Sequence, residues 1–264
     1  MTTQTCPDTP QEVRSAIRSG RWKEVTAKAA QGYTQANLVI VPRALAFDFL
    51  LFCQRNPKSC PLLEVIEDGK SEPVYTAPGA DLRTDLPLYR VFNNGDLVAE
   101  VDNVTEWWRG DLVSFLLGCS FTFESALVNA GIPLRHWVEN KNVSMFVTNV
   151  NAETAGIFSG PMVVSMRPIP RNKVVRAVQV TSRYPLMHGA PVHIGDPSLI
   201  GIEDLNQPDY GDKIDVKDDE VPVFWACGVT PQAVALTSKP PFMITHSPGH
   251  MFVSDLRDEQ LATF

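Results

Sequence analysis

Apolar side chains recur along this chain in short bursts of changing period, the pattern of helices and strands taken in alternation rather than in blocks. The first burst opens on Thr9-Pro10-Gln11-Glu12. A threonine cap, a proline in the first turn and a glutamate three residues after the cap form a capping box, and Val13, Ala16 and Ile17 mark the buried side of a helix that Gly20 ends. Residues 42–55 carry Leu45, Ala46, Phe49, Leu50, Phe52 and Cys53 almost all round, which predicts a helix buried on most faces and stopped by Asn56-Pro57. Residues 62–66 read as a short buried strand. Strands at 88–92 and 97–101 flank Asn93-Asn94-Gly95-Asp96, the turn chemistry of a hairpin. Residues 107–117 read as a helix with Gly118 in its left-handed C-terminal position. Ser120 then reads as the cap of a further helix through Phe121, Leu127 and Val128 to about residue 130, closed by Gly131-Ile132-Pro133.

The pattern continues with strands at 144–150 and 162–166 and a helix over 173–182, where Val174, Ala177, Val178 and Thr181 share a face. Asp196-Pro197 is another helix start, and the acidic stretch 207–220 an exposed connection. A strand at 221–226, a helix at 233–238 and strands at 242–246 and 251–255, around Ser247-Pro248-Gly249, complete the reading. Interleaved helices and strands predict the α/β class with a mixed sheet. The expected organisation is two intimately packed subdomains: residues 1–115 with 215–264 as the main α/β part, and 116–214 as a smaller α+β part.

Composition narrows the class of partner. At 264 residues and 44% hydrophobic the chain can bury a large core but exceeds the usual single compact domain. The net charge is −7 and no basic run is present, so nucleic acid is not expected to bind. The longest apolar run, at 45–53, is broken by Asp48 and is too short to span a bilayer. Residues 1–7 show neither a positive start nor an apolar stretch, so no targeting segment is expected. Five cysteines (Cys6, Cys53, Cys60, Cys119, Cys227) are odd in number and lack Cys-x-x-Cys spacing. That argues for reduced thiols in the cytoplasm, without a disulfide framework or a zinc ribbon.

Two segments share one physical logic. Gly118-Cys119-Ser120 and Cys227-Gly228-Val229-Thr230 each put a glycine and a cysteine just before a helix. Unpaired N–H groups at a helix start attract anions, and glycine lets a ligand approach the backbone, so both suit a carboxylate. The alternative is that the glycines merely turn the chain and the cysteines are small buried hydrophobes. A helix start also lowers a thiol pKa, which would favour a thiolate at Cys119 or Cys227. Glu124 lies in the first turn of its helix, either as a base or as a surface carboxylate placed by the dipole. His246 and His250 flank a proline turn and could supply a general acid, or one of them could be structural. Their spacing fits no familiar zinc pattern, and neither a metal nor a cofactor is expected. Arg167 could grip a substrate carboxylate or an acidic side chain, and Arg83 has the same two readings. The glycine- and proline-rich stretch 188–197, with His193, reads as a rigid loop of the kind that carries sites.

Several blocks together closely resemble one family: Asn56-Pro57-Lys58-Ser59-Cys60-Pro61 and on to Val65, Gly118 to Glu124, Gly160 to Pro168, His188 to Pro197, Pro222 to Gln232, and Ile244-Thr245-His246-Ser247-Pro248-Gly249-His250. In this order, from about Pro10 to Asp255, the chain is similar to the bacterial hydro-lyases and to the N-terminal part of the mitochondrial D-glutamate cyclases, which carry a further C-terminal domain. The resemblance implies a two-part α/β structure and a lyase that eliminates water from a small carboxylate. Cyclisation of D-glutamate to 5-oxo-D-proline is the related reaction. Elimination needs a base, an acid and a cradle for the developing enolate charge. Laid over these blocks, Glu124, His246, His250, Cys119 and Cys227 are the expected catalytic groups, and Gly118, Ser120, Arg167, His193, Gly228 and Thr230 the expected substrate contacts. A non-catalytic binder of a small organic acid and a subunit of a larger complex stay open as alternatives, as does a homo-oligomer.

Overall fold

The computed structural model describes residues 7–263; Cys6 and the first six residues of the stretch read for a targeting segment lie outside the described residues. The elements in order are α1 (Pro10–Arg18), β1 (Tyr33–Pro42), α2 (Arg43–Arg55), β2 (Leu62–Ile66), β3 (Tyr89–Asn93), β4 (Asp96–Val101), β5 (Leu112–Gly118), α3 (Phe121–Asn129), α4 (Arg135–Glu139), β6 (Ser144–Asn151), β7 (Pro161–Pro170), α5 (Val174–Thr181), β8 (His193–Ile194), β9 (Glu220–Ala226), α6 (Thr230–Ser238), β10 (Phe242–His246) and β11 (Phe252–Arg257). The class is α/β. The described strand ladders all run antiparallel, so the mixed sheet expected from the sequence is not formed.

α1 starts as its sequence dictates. The Glu12 N–H donates to Thr9 Oγ1 at 3.3 Å and the Thr9 N–H to Glu12 Oε2 at 3.1 Å. Its buried Val13 and Ile17 pack on Val253 of β11.

The strands form a seven-stranded sheet, ordered β2-β5-β1-β10-β3-β4 with β11 also on β1, and a four-stranded sheet ordered β6-β7-β9-β8. β1 is the spine of the larger sheet. One edge pairs with β5 from Ala36 opposite Gly118 to Pro42 opposite Leu112. The other edge is shared: β11 pairs at Tyr33, Gln35 and Ala36, and β10 at Val39 and Ile40. Asn37 and Leu38 fall in the gap between those two ladders. There the Leu38 N–H lies 3.3 Å from Nδ1 of His246 and can donate to it.

The expected helix over 107–117 is not formed. β5 occupies its second half, Trp107 ends a single 3-10 turn (Thr105–Trp107), and Gly118 closes the strand rather than a helix. β5 is buried on both faces: Leu112 and Leu116 point into one core, Val113, Phe115 and Leu117 into the other. An apolar run covered on two sides carries no polar alternation, and helix and strand then look alike in sequence. Asp196-Pro197 starts only a 3-10 turn (Pro197–Ile200), with the Ser198 N–H donating to Asp196 Oδ1 at 3.0 Å. The 207–220 connection is largely exposed, anchored by buried Ile214 and by Tyr210 bridged to Met145.

The two sheets meet through α6 and an apolar junction. Val234 and Ala235 of α6 enter the core of the larger sheet with Val39 and Phe115. Ala233 joins Cys119, Phe121, Val163 and Cys227 between the sheets. On the outer face of the smaller sheet, Phe123 and Leu127 of α3 and Ala177 and Val180 of α5 cover Ile169, Val223 and Trp225.

One buried acid sets a pH dependence of stability. Asp258 is 7% exposed, and burial raises its carboxyl to about 7 even though Thr34 Oγ1 donates to it at 3.4 Å. Its folded-state pKa lies above the unfolded value of 3.8, so the stability it permits is fully present below that value and is lost as pH rises through about 7. Asp258→Asn is expected to raise the Tm at pH 8 and leave it unchanged at pH 4. A pair of melting curves at each pH checks it, and equal gains at both would sink the assignment.

Candidate functional site

β5 and β9 end side by side and run into α3 and α6 through the two glycine-cysteine turns, with Asn37 of β1 between them. Its Nδ2 donates to the Gly118 carbonyl at 2.6 Å. A Cβ on Gly228 would lie 2.0 Å from the same nitrogen, and one on Gly118 would lie 1.8 Å from the Leu186 carbonyl oxygen and 2.8 Å from Met187 Sδ. The Gly118 N–H donates to the Pro61 carbonyl at 2.8 Å. Both glycines are therefore required by close approach of backbone or side chain, rather than by a positive φ. Thr230 fixes the second turn: its hydroxyl donates to the Cys227 carbonyl at 2.7 Å and accepts from the Val163 N–H at 3.0 Å, which ties the start of α6 to β7.

Under these turns lies a buried ion pair. Arg167 of β7 and Glu124 of α3 are 1% and 0% exposed. Arg167 Nε donates to Glu124 Oε1 at 2.9 Å, and its Nη2 donates both to the same oxygen and to Ser120 Oγ, the latter at 3.0 Å. Nη1 donates to Ser165 Oγ at 3.0 Å. The guanidinium is stacked with Phe123 and Trp225, its carbon 5.3 and 5.4 Å from their ring centroids. α4 completes the shell: His136 Nε2 lies 2.9 Å from Glu124 Oε1, and the Trp137 indole donates to Oε2 at 2.5 Å. Burial opposes the charge on Glu124, but the pull of His136 and Arg167 outweighs it and lowers the pKa of the carboxyl. Glu124 is thus neither a surface carboxylate nor a base with a free oxygen. Ser120 stands at the head of α3, but its hydroxyl accepts from Arg167 and does not cap the helix.

Cys119 and Cys227 share the apolar junction with Phe121, Val143, Val229 and Met251. Burial pushes both thiols up, Cys227 to about 11 and Cys119 further. This is opposite to the thiolate expected from a helix start, because desolvation of the charged form exceeds the attraction of the backbone dipoles here. The described cysteines are all free and buried.

The remaining candidates lie elsewhere. His246 is fully buried, and burial lowers its pKa to about 3. Its neighbours are Arg90 and His250 rather than Arg167. Gln232 links this second cluster together: it accepts from Arg90 Nη1 at 3.2 Å and donates to the His246 carbonyl at 2.8 Å. Ser247 Oγ donates to Glu100 at 2.6 Å beside it. His250 is partly exposed, donates from Nδ1 to the Pro248 carbonyl at 3.1 Å, and is shifted toward neutrality by burial. His193 stands on the edge strand β8, against Phe224, and donates from Nε2 to the Asp196 carbonyl. Arg83 is held by Asp81. The structure therefore gathers Gly118, Cys119, Ser120, Glu124, Arg167, Cys227, Gly228 and Thr230 at one place, His246 and His250 at a second, and leaves His193 apart. The sequence reading missed Asn37, His136 and Trp137, which lie outside the motif blocks. Among the described residues no group of three or more His, Cys, Asp or Glu side chains could hold a metal ion. No helix there is long and apolar enough to cross a membrane.

Comparison with known proteins places this geometry in a family. A protein of Geobacillus kaustophilus named "Putative hydro-lyase" is 63% identical over 255 residues, 97% of each chain. Relatives of the same description from Stutzerimonas stutzeri and Bacillus subtilis are 60% and 57% identical over 96% of this chain, and cover 95% and 98% of their own lengths. Among solved structures, a nitrogen repressor-like protein of Methanococcus jannaschii aligns over 92% of this chain and 97% of its own, at 11% identity and a TM-score of 0.39. The profile of the D-glutamate cyclase family matches residues 113–255, the span that contains both glycine-cysteine turns, Arg167 and the second histidine cluster. The chain belongs to the D-glutamate cyclase family.

Proposed function

We propose that this protein is a cytoplasmic carbon–oxygen lyase that removes water from a small carboxylate. The observation that carries the reading is the convergence of Gly118–Ser120 and Cys227–Thr230 on Asn37, above the buried Arg167. The names of the relatives support the reaction class. Phe121, Thr122, Thr230 and Gln232 already spend their N–H groups inside the turns and Pro231 has none, so a carboxylate would be received by the N–H groups of Cys119, Ser120, Gly228 and Val229, contacts that strengthen as charge moves onto its oxygens in an enolate-like transition state. Arg167 adds positive charge beneath them, and Glu124, fixed by Trp137 and His136, holds Arg167 in place. Ser120 Oγ, already accepting from Arg167, has a proton to donate toward a bound acid. The two sheets form two packed subdomains with the site between them in this reading, and β9, which the sequence assigned to the main part, pairs in the smaller sheet.

The family description supports cyclisation of D-glutamate as one form of this chemistry. There the amine forms a bond to the distal carboxyl carbon, the C–O bond breaks, and water leaves with a proton from nitrogen. A non-catalytic binder of a small acid is the second reading, favoured by the full engagement of Glu124, the carboxylate nearest the turns.

One experiment separates them. The purified protein is incubated with D-glutamate, D- and L-malate, D- and L-tartrate and citrate, and products are followed by proton NMR alongside melting curves. Loss of water from at least one acid is expected. A rise in Tm with an acid but no turnover of any would replace the lyase by a binding protein.

A further inference from the structure

Directly after Leu186 and Met187, which press on Gly118, comes a histidine that none of the roles above use. His188 closes the 3-10 turn Pro185–Met187 in the left-handed region, at φ 73°, and is 1% exposed. Its turn presses directly on the first glycine-cysteine turn, since Leu186 and Met187 supply the atoms that exclude a Cβ from Gly118. The same Gly118 is tied to Pro61, three residues after Lys58, and the Lys58 carbonyl accepts from the His188 ring at 2.6 Å. Three stretches of chain, at 58–61, 118–120 and 186–188, are thus locked together, and the charge of Arg167 is felt at the imidazole.

The bond to Lys58 settles the chemistry of the ring. A carbonyl oxygen only accepts, so Nδ1 must carry the proton and Nε2 must present its lone pair. That Nε2 is buried and has no hydrogen-bond partner. Burial, reinforced by Arg167 and Lys58, lowers the imidazole to about 4, although the Lys58 carbonyl favours the charged form. At neutral pH the ring is uncharged and its lone pair unoccupied. Buried polar atoms are nearly always paired, and one without a protein partner near a candidate site is open to a ligand or a water. His246 also has an unpartnered Nε2, but its Nδ1 lies 3.3 Å from both the N–H and the carbonyl of Leu38, which leaves its tautomer unfixed, and it belongs to the Arg90 cluster.

We propose that His188 is the catalytic base of this site, with Nε2 contacting the substrate carbon acid next to the carboxylate held by the Gly118 and Gly228 turns. The C–H bond breaks and its proton passes to Nε2, while its electron pair becomes the new C=C bond. The C–O bond breaks with its own electron pair, and the departing hydroxide takes the proton back from the imidazolium and leaves as water. The imidazole returns to its starting tautomer. This rests on the lyase reading above.

His188→Asn tests it without disturbing the turn. Asparagine tolerates the left-handed conformation, and its amide can donate to the Lys58 carbonyl, but it has no basic nitrogen. With malate, tartrate and citrate, the named acids that carry a hydroxyl, wild-type protein is expected to eliminate water from at least one, and H188N to keep its Tm and its affinity for that acid while kcat falls at least about 100-fold; turnover of D-glutamate alone, which cyclises without breaking a C–H bond, overturns the role of His188. An H188N rate within tenfold of wild type overturns the role of His188 and leaves the lyase reading standing. No turnover of any acid by the wild type overturns both. If H188N fails to fold, nitrogen NMR of ring-labelled wild type decides: the unprotonated Nε2 signal must move when D-glutamate, malate, tartrate or citrate is added, and an unmoved signal with all of them refutes the contact.

Discussion

Arg167→Met is expected to destabilise the protein by about 3–5 kcal/mol, the cost of leaving a buried charge without its partner. Arg167 supplies two of the contacts to Glu124 Oε1, and the carboxylate is wholly buried. Methionine roughly fills the space between Phe123 and Trp225 but returns no charge. The penalty has a pH signature. In the wild type Glu124 has a lowered pKa, so its contribution is present above the unfolded value of 4.5 and is lost as pH falls through the folded value. In R167M burial acts with less opposition and the carboxyl more readily takes up a proton. The gap between the two proteins is therefore widest at neutral pH and narrows in acid. Urea titrations at pH 7 and pH 4 measure both. R167M combined with Glu124→Gln should recover part of the loss, because the partners form one network. Strict additivity of the two changes would show that they do not.

Gly118→Ala is the second large effect, at about 1–3 kcal/mol for an overpacked site, with a greater loss of function. The added methyl meets a backbone oxygen at 1.8 Å, and a backbone oxygen cannot rotate aside as a side-chain end can. Either β5 withdraws or the 185–188 turn lifts, and both movements disturb the first glycine-cysteine turn. Gly110→Ala is the control: a Cβ there has nothing within 4 Å, and its φ is not positive. A G118A protein with the Tm and the ligand affinity of G110A would refute the close packing of this junction.

How much of this was legible in the sequence depended on whether the signal was local. The capping box of α1 and the hairpin of β3 and β4 are written in adjacent residues, and both are present. β1 left a weaker mark: Gly32 turns the chain just before it, but the strand is buried along its length and Thr34, Gln35 and Asn37 interrupt its apolar run. β5 was misread because two-sided burial erases its period. Among the site residues, the glycine-cysteine turns stood out by composition, and the structure brings them together. Asn37 and His136 did not, since a lone amide in a strand and a histidine in a five-residue helix acquire meaning only from partners distant in sequence. His188 lies in the same glycine- and proline-rich stretch as His193, and nothing local distinguishes the two histidines. The geometry gives the difference: His188 is buried and bonded to the Lys58 carbonyl, whereas His193 lies on an edge strand.

The divided edge of β1 has a consequence for the order of folding. The strand that forms the spine of the larger sheet is made early in synthesis, yet both strands that complete its second edge, β10 and β11, are among the last elements to emerge. Until then that edge is an open row of N–H and C=O groups, a template for wrong pairing. Such long-range closure is slow, and the nascent chain is exposed to misassembly for as long as it waits. Asn37, and with it the meeting of the two glycine turns, lies at the break between those late strands, so the candidate site is assembled only with the last contacts of the fold.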